Sequence, residues 1–344
     1  MKIKNKIVVD DIKNVLVNIN VDCLKNKTIL ITGASGFLGS LLTTTFLYAN
    51  QTLNTNIRII TTSRKETFSS WYLELDGKEN LKHLKQDIVK QINIKDKIDF
   101  IIHTASPTNS SFLKNNPLET FDTILTGTKN IIDLAIKNDA YLINLSSMEV
   151  YSSNDTLKVV NEEECGTFDL HNTRNSYPLA KISSEFLCNS QAQTNNLKVA
   201  NVRLAQTIGA GIKYEENKVF IMFLKACLNN ENIVLLTTGK SIRSIIYSSD
   251  ALNGILFLLT NKYTGTFNLA NEEATFSIYN LAEEAIKTLK PTKTQIVINS
   301  NAEQGKVYSS DSKIKLDTSK MKALGWFAKV NVQEIFTRLK NSFK

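Results

Sequence analysis

Histidine is rare in this chain. Only His83, His103 and His171 occur, none in metal-ligand spacing, so no metal-centred chemistry is expected. Four cysteines (Cys23, Cys165, Cys188 and Cys227) are scattered with no CxxC pair. They read as reduced thiols of a cytoplasmic protein, not as a disulfide framework. Proline, at 4, and glycine, at 13, are too few among 344 residues for a disordered or linker-dominated chain. Long apolar runs are missing too. Asp10, Asp11 and Lys13 interrupt the N-terminal stretch that a signal peptide would need, and no later segment would cross a bilayer, so no membrane partner is expected. Dense basic runs interleaved with aromatics are also lacking, which argues against nucleic acid as a partner despite a net charge of +8. That charge reads as a solvated basic surface that also suits anionic ligands.

What is present is the composition of a globular protein with a real core, 42% hydrophobic and 22% charged, in a chain longer than one typical domain. Residues 1–26 form an arm whose Val8, Val9, Ile12, Val15, Leu16 and Ile19 give a rough helical apolar face, expected to pack onto the main domain. From Thr28 onward, short β-branched runs alternate with helical stretches. TILIT, IRIITT, DFIIHTA, AYLINLSS and LKVANVRL read as buried parallel strands, because apolar residues occupy both faces. The alternation predicts an α/β fold built on a doubly wound parallel sheet. Beyond Ala205 the order loosens into a smaller, mixed α/β lobe. The expected division is the arm, a nucleotide-binding domain over 27–205 with 241–270 returning to it, and a substrate lobe over 206–240 and 271–344.

Gly33-Ala34-Ser35-Gly36-Phe37-Leu38-Gly39 follows strand TILIT and opens a helix. Glycine suits this place because the chain turns tightly and backbone N–H groups must approach a pyrophosphate, which then meets the positive end of the helix. This is the Rossmann arrangement for NAD or NADP. The second strand ends Ile60-Thr61-Thr62-Ser63-Arg64 without the carboxylate that would bind the ribose hydroxyls of NAD. Arg64 suits a ribose 2′-phosphate, which favours NADP; as a solvated loop residue beside adenine it leaves NAD open. Asp87 and Ile88 are placed where an adenine edge is read.

Tyr177 and Lys181 stand four apart on a helix expected to start near Pro178, so they share a face. An ammonium beside a phenol is expected to lower its pKa and let it move an alcohol proton. Ser146-Ser147 ends strand AYLINL one strand–helix unit earlier, at the carboxyl edge of the sheet where ligands bind. Together with the glycine loop, the ordered segments DFIIHTAS, LSSMEVY, YPLAK, RLAQTIGAG, GKSIRSIIYSSDA and TFNLAN resemble the extended short-chain dehydrogenase/reductase family. Its relevant branch holds the NAD(P)-dependent nucleotide-sugar epimerases and dehydratases.

The resemblance implies roles for matching positions. Ser147 would polarise the substrate, Tyr177 would be the acid/base and Lys181 would bind ribose. Ala105 and Ser106 would lie beside the cofactor. Ser106, Gln206, Lys218, Val219 and Arg243 would contact a nucleotide-diphosphate sugar. A homodimer is implied as well. Met148 replaces the aspartic acid that 4,6-dehydratases of the family use to protonate a leaving hydroxyl, which argues against dehydration. Glu149 resembles the arrangement in UDP-glucuronate decarboxylases; the bland alternative is a carboxylate paired with a nearby cation. Gln206, Ala210, Ile124 and Ser152 depart from the usual Asn, Pro, Asn and Gly. The expected activity is hydride transfer at the sugar 4-position, as an epimerase or 4-keto-sugar reductase in surface polysaccharide biosynthesis, with decarboxylation as the alternative. A sensor or scaffold that binds NAD(P) without turnover is the reading from another class.

Overall fold

The computed structural model describes residues 1–68, 70–75, 77, 80–152, 156–299 and 312–344. The part of the expected substrate lobe at 300–311 lies outside the described residues. The chain divides into two compact units: Met1–Val150, Phe168–Arg203 and Leu252–Phe267 in the first, and Tyr151–Thr167, Leu204–Ala251 and Asn268–Lys344 in the second. The N-terminal arm belongs to the first unit. The segment returning to that unit is shorter than 241–270, because Ile242–Tyr247 pairs instead with Gln206–Ile208 and Asn271–Ser277.

In the first unit, α1 (Lys6–Val17) starts at Asn5, whose side chain accepts from the Val8 N–H, and buries Val8, Ile12, Val15 and Leu16. A seven-stranded sheet follows: β1 (Thr28–Thr32), β2 (Arg58–Ser63), β3 (Leu81–Lys85), β4 (Phe100–His103), β5 (Tyr141–Ser147), β6 (Val199–Leu204) and β7 (Gly265–Leu269). Their order is β7-β6-β5-β4-β1-β2-β3. Neighbours from β5 across to β3 pair in parallel, with β1 at the point where the order reverses. Six of these strands follow the sequence expectation, β7 falling on GTFNLA, which also reads as a strand. β3 was not expected, since Leu81-Lys82-His83-Leu84-Lys85 is an edge strand with exposed lysines and no fully buried residue.

Helices α2 (Phe37–Leu53), α3 (Ser110–Asn115), α4 (Pro117–Asn138), α5 (Ser176–Asn195) and α6 (Ser248–Asn261) make the connections. α4 has Pro117 in its first turn, and its Ile131, Ile132 and Ala135 pack with Leu30, Ile60, Ile101 and Leu142 of the sheet and Cys188 of α5. Gly127 keeps α4 close to the loop after β3, because a Cβ there would lie 2.8 Å from the Ile88 side chain. The second unit is a mixture of short sheets and helices, with Val219–Asn229, Ile278–Leu289 and Val332–Ser342 as its longest helices. Among the described residues no helix is long and apolar enough to cross a membrane.

Candidate active site

The glycine loop turns between β1 and α2. Gly33 has φ +64°, and a Cβ there would meet the Ala105 backbone at 2.7 Å. A Cβ on Gly39 would lie 2.5 Å from the Gly33 carbonyl oxygen. Gly36 caps α2 with no side-chain bond to the helix, so its first N–H groups face outward without a capping hydroxyl or carboxylate. This bare backbone cradle fits a dinucleotide pyrophosphate, with Ser35, Phe37 and Leu38 at the turn and first helical positions. Thr32, at the end of β1, ties the cradle to β4: its hydroxyl bonds His103 Nδ1 at 2.7 Å and accepts the Ala105 N–H at 3.3 Å. Burial pulls the His103 imidazole down to about 3, so the ring is neutral.

At the far end of the cradle, Arg64 follows β2 and lies 3.6 Å from Glu119 of α4, with most of its side chain in solvent. Asp87 accepts the Val89 N–H at 3.2 Å and holds its own turn, while Ile88 is buried under α4. Ser106 donates to the Pro107 carbonyl at 3.3 Å in the loop after β4.

The structure brings Ser147, Glu149, Tyr177 and Lys181 together in the first unit. Ser147 ends β5; its hydroxyl accepts the Glu149 N–H at 3.2 Å and shares a hydrogen bond with the Tyr177 phenol. α5 begins at Ser176, and one helical turn separates Tyr177 from Lys181, whose Nζ stands 5.9 Å from the Tyr177 ring centre. Lys181 donates to the Leu145 carbonyl at 2.6 Å. Burial pulls its ammonium down to about 8, opposed by the Glu185 carboxylate one turn further on.

The expected electrostatics of the tyrosine are corrected by this arrangement. Its pKa is raised, first by burial and then by the Glu149 charge, against smaller lowering from the Ser147 bond and Arg174. Leu113, Phe121 and Ile124 wall the phenol with hydrocarbon. Lys181 donates to Leu145 and is not among the groups that set the phenol's pKa.

Two participants escaped the sequence reading. Arg174 holds Glu149 at 3.0 and 3.3 Å, so the carboxylate is paired. Beneath Lys181, Glu185 pairs with Arg203 at 2.8 Å and with the Ser146 hydroxyl, all buried. Glu185 stands four residues after Lys181, a helical spacing that could have flagged it; Arg174 lies in a turn with no periodicity to reveal it.

In the second unit, Gln206 begins a short strand, and its side-chain oxygen is buried with no hydrogen-bond partner. Lys218 caps the helix that starts at Val219, and burial lowers its pKa. Arg243 lies on the strand paired with Phe276. Met148 is 3% exposed and packed as core.

Comparison with known proteins agrees with this architecture. The chain is 29% identical to UDP-glucuronic acid decarboxylase 1 of Danio rerio over 78% of its own length and 62% of that protein, less than two thirds of the relative. It is 25% identical to UDP-glucuronic acid decarboxylase 3 of Arabidopsis thaliana, over 94% of this chain and 90% of the relative. Among solved structures, UDP-glucose 4-epimerase of Thermotoga maritima, with UDP-glucose, superposes with a TM-score of 0.74 at 19% identity, covering 92% of this chain and 98% of that one. dTDP-glucose 4,6-dehydratase of Streptomyces venezuelae, with NAD bound, does so at 0.72 and 19%, covering 92% and 95%. The model of the NAD dependent epimerase/dehydratase family matches residues 29–270, and the chain belongs to that family.

Proposed function

We propose that this protein oxidises the 4-hydroxyl of a nucleotide-diphosphate sugar. The observation that carries the reading is the meeting of Ser147, Tyr177 and Lys181 at the carboxyl end of β5, two strands from the β1 end that carries the glycine turn. The bound dinucleotide would supply hydride acceptance. Tyr177, having given up its own proton, would as the phenolate take the 4-hydroxyl proton, Ser147 would hold that hydroxyl, and Lys181 would hold the ribose of the cofactor. Gln206, with its unpartnered buried oxygen, and Lys218, Val219 and Arg243 would take the nucleotide diphosphate, with Ser106 against the sugar. Return of hydride gives an epimer; reduction of a supplied 4-keto-sugar runs the same step backwards.

Decarboxylation of UDP-glucuronate is the second reading, supported by what the relatives are named for and by Glu149 beside the site. Oxidation at C4 places a ketone β to the C6 carboxylate, which then leaves as CO2. For the cofactor, Arg64 supports NADP, whereas its pairing with Glu119 supports NAD. The protein is proposed to act as a homodimer in the cytoplasm.

Incubation with NAD or NADP and a panel of UDP-, dTDP-, GDP- and CDP-sugars, UDP-glucuronate included, followed by NMR of the products, tests this. Turnover with one of them, lost in Tyr177→Phe, is the expected result. Full turnover in Tyr177→Phe, or stoichiometric cofactor binding with no conversion of any sugar, would overturn it in favour of a sensor.

A further inference from the structure

Glu149 and Arg174 join the two elements that carry the reacting hydroxyls. Glu149 sits in the turn directly after β5, two residues from Ser147. Arg174 sits in the short turn Thr173–Asn175 that runs into α5, three residues before Tyr177, with its N–H held by the Asn172 side chain at 3.0 Å. The guanidinium reaches both Glu149 oxygens, at 3.0 and 3.3 Å, and its carbon lies 6.0 Å from the Tyr177 ring centre. Only 15% of the arginine side chain and 31% of the glutamate are exposed, so solvent screens the pair incompletely.

We propose that Arg174 is a positioning residue that clamps Glu149 beside Tyr177 as a neutralised pair, so that the phenol gives up its proton next to a compensated carboxylate instead of a bare one. The assignment rests on Tyr177 being the proton-transfer group. The charged groups facing the phenol are Glu149 from the turn after β5, Arg174 from the turn before α5, and Lys181 from α5 itself; α3 and α4 pack Leu113, Phe121 and Ile124 against it. Glu149 raises the phenol's pKa and Arg174 lowers it, in keeping with opposite charges on either side of one ionisation. The clamp does two further things. It fixes Glu149 with its N–H on Ser147, and it ties the entry of α5 to the end of β5.

The test reads the phenol directly. 3,5-Difluorotyrosine, a more acidic phenol than the other tyrosines, is placed at position 177 of the full chain and titrated by absorbance without cofactor. Arg174→Gln is expected to raise its midpoint by about one pH unit, the scale of a partly screened charge about 6 Å away. Arg174→Lys keeps the charge and restores part of the shift. Adding Glu149→Gln to Arg174→Gln returns the midpoint to the parent value or below, an effect that a merely structural role for the arginine would not produce. Should Arg174→Gln fail to fold, Glu149→Gln alone is expected to lower the midpoint. An unchanged midpoint in Arg174→Gln, or no reversal in the double variant, overturns the clamp. A normal titration series with no turnover on any sugar overturns the proposed function and leaves the clamp standing.

Discussion

Replacing Lys181 by methionine is expected to stabilise the protein while abolishing turnover. Lys181 is 5% exposed, and burial holds its pKa at about 8 against 10.5 for free lysine. At pH 7 the folded and unfolded chains both carry the proton, and the folded one bears the full cost of the gap, about 3 kcal/mol. As pH rises from about 8 to 10.5 the folded chain has released a proton that the unfolded chain still holds, so stability climbs through that window and the cost is gone above it. Methionine keeps an unbranched stem of similar volume. It loses the 2.6 Å bond to the Leu145 carbonyl, worth about 1 kcal/mol. Glu185 is not stranded, because Arg203 and Ser146 still hold it. The net gain is about 2 kcal/mol at pH 7, falling below about 1 kcal/mol at pH 9.5. Urea unfolding of both proteins, without cofactor and followed by circular dichroism at the two pH values, measures it. A variant less stable than the parent at pH 7, or a gain that does not shrink with pH, would refute the reasoning.

Two further substitutions probe the backbone. Gly39→Ala places a Cβ 2.5 Å from the Gly33 carbonyl oxygen and is expected to distort the cradle, costing about 1–3 kcal/mol and most of the dinucleotide affinity, read by calorimetric titration with NAD and NADP. Ser152 holds φ +61°, a left-handed conformation that costs a side-chain-bearing residue about 1–2 kcal/mol. Ser152→Gly is expected to raise the urea midpoint, and a lowered one would show that the serine side chain earns its place.

Most of the parallel sheet was legible because β1, β2, β4, β5 and β6 are rich in apolar residues that fall on both faces, whereas β3 carries exposed lysines and, among the described residues, has no helix on either side of it in the chain. Gly33, Gly36 and Gly39 were legible because a bare backbone has a recognisable spacing. The Tyr177–Lys181 interval survived for the same reason: it is a helical repeat. What the sequence hid were pairings made across long separations. Arg174 meets Glu149 over 25 residues and Arg203 meets Glu185 over 18, and neither has a local pattern. The tyrosine's electrostatics were misjudged because distance in the chain says nothing about burial. Leu113 and Ile124 come from other helices and bury the phenol, and burial is the largest cause of its raised pKa. Ser152 shows a further limit. The residue is strained where glycine is usual, and it is Gly166 that makes room, since a Cβ there would lie 2.4 Å from the Ser152 nitrogen.

The adjacent serines at the end of β5 have separate fates because successive residues of a strand face opposite ways. Ser147 looks onto the Tyr177 phenol, whereas Ser146 binds Glu185 in the ion pair below. Two identical neighbours thus divide into a tool and its foundation. A change at position 147 would act on the Tyr177 phenol directly, whereas a change at 146 would loosen the Glu185–Arg203 pair near Lys181. The first serine can therefore vary without disturbing the ion pair only while the second stays put.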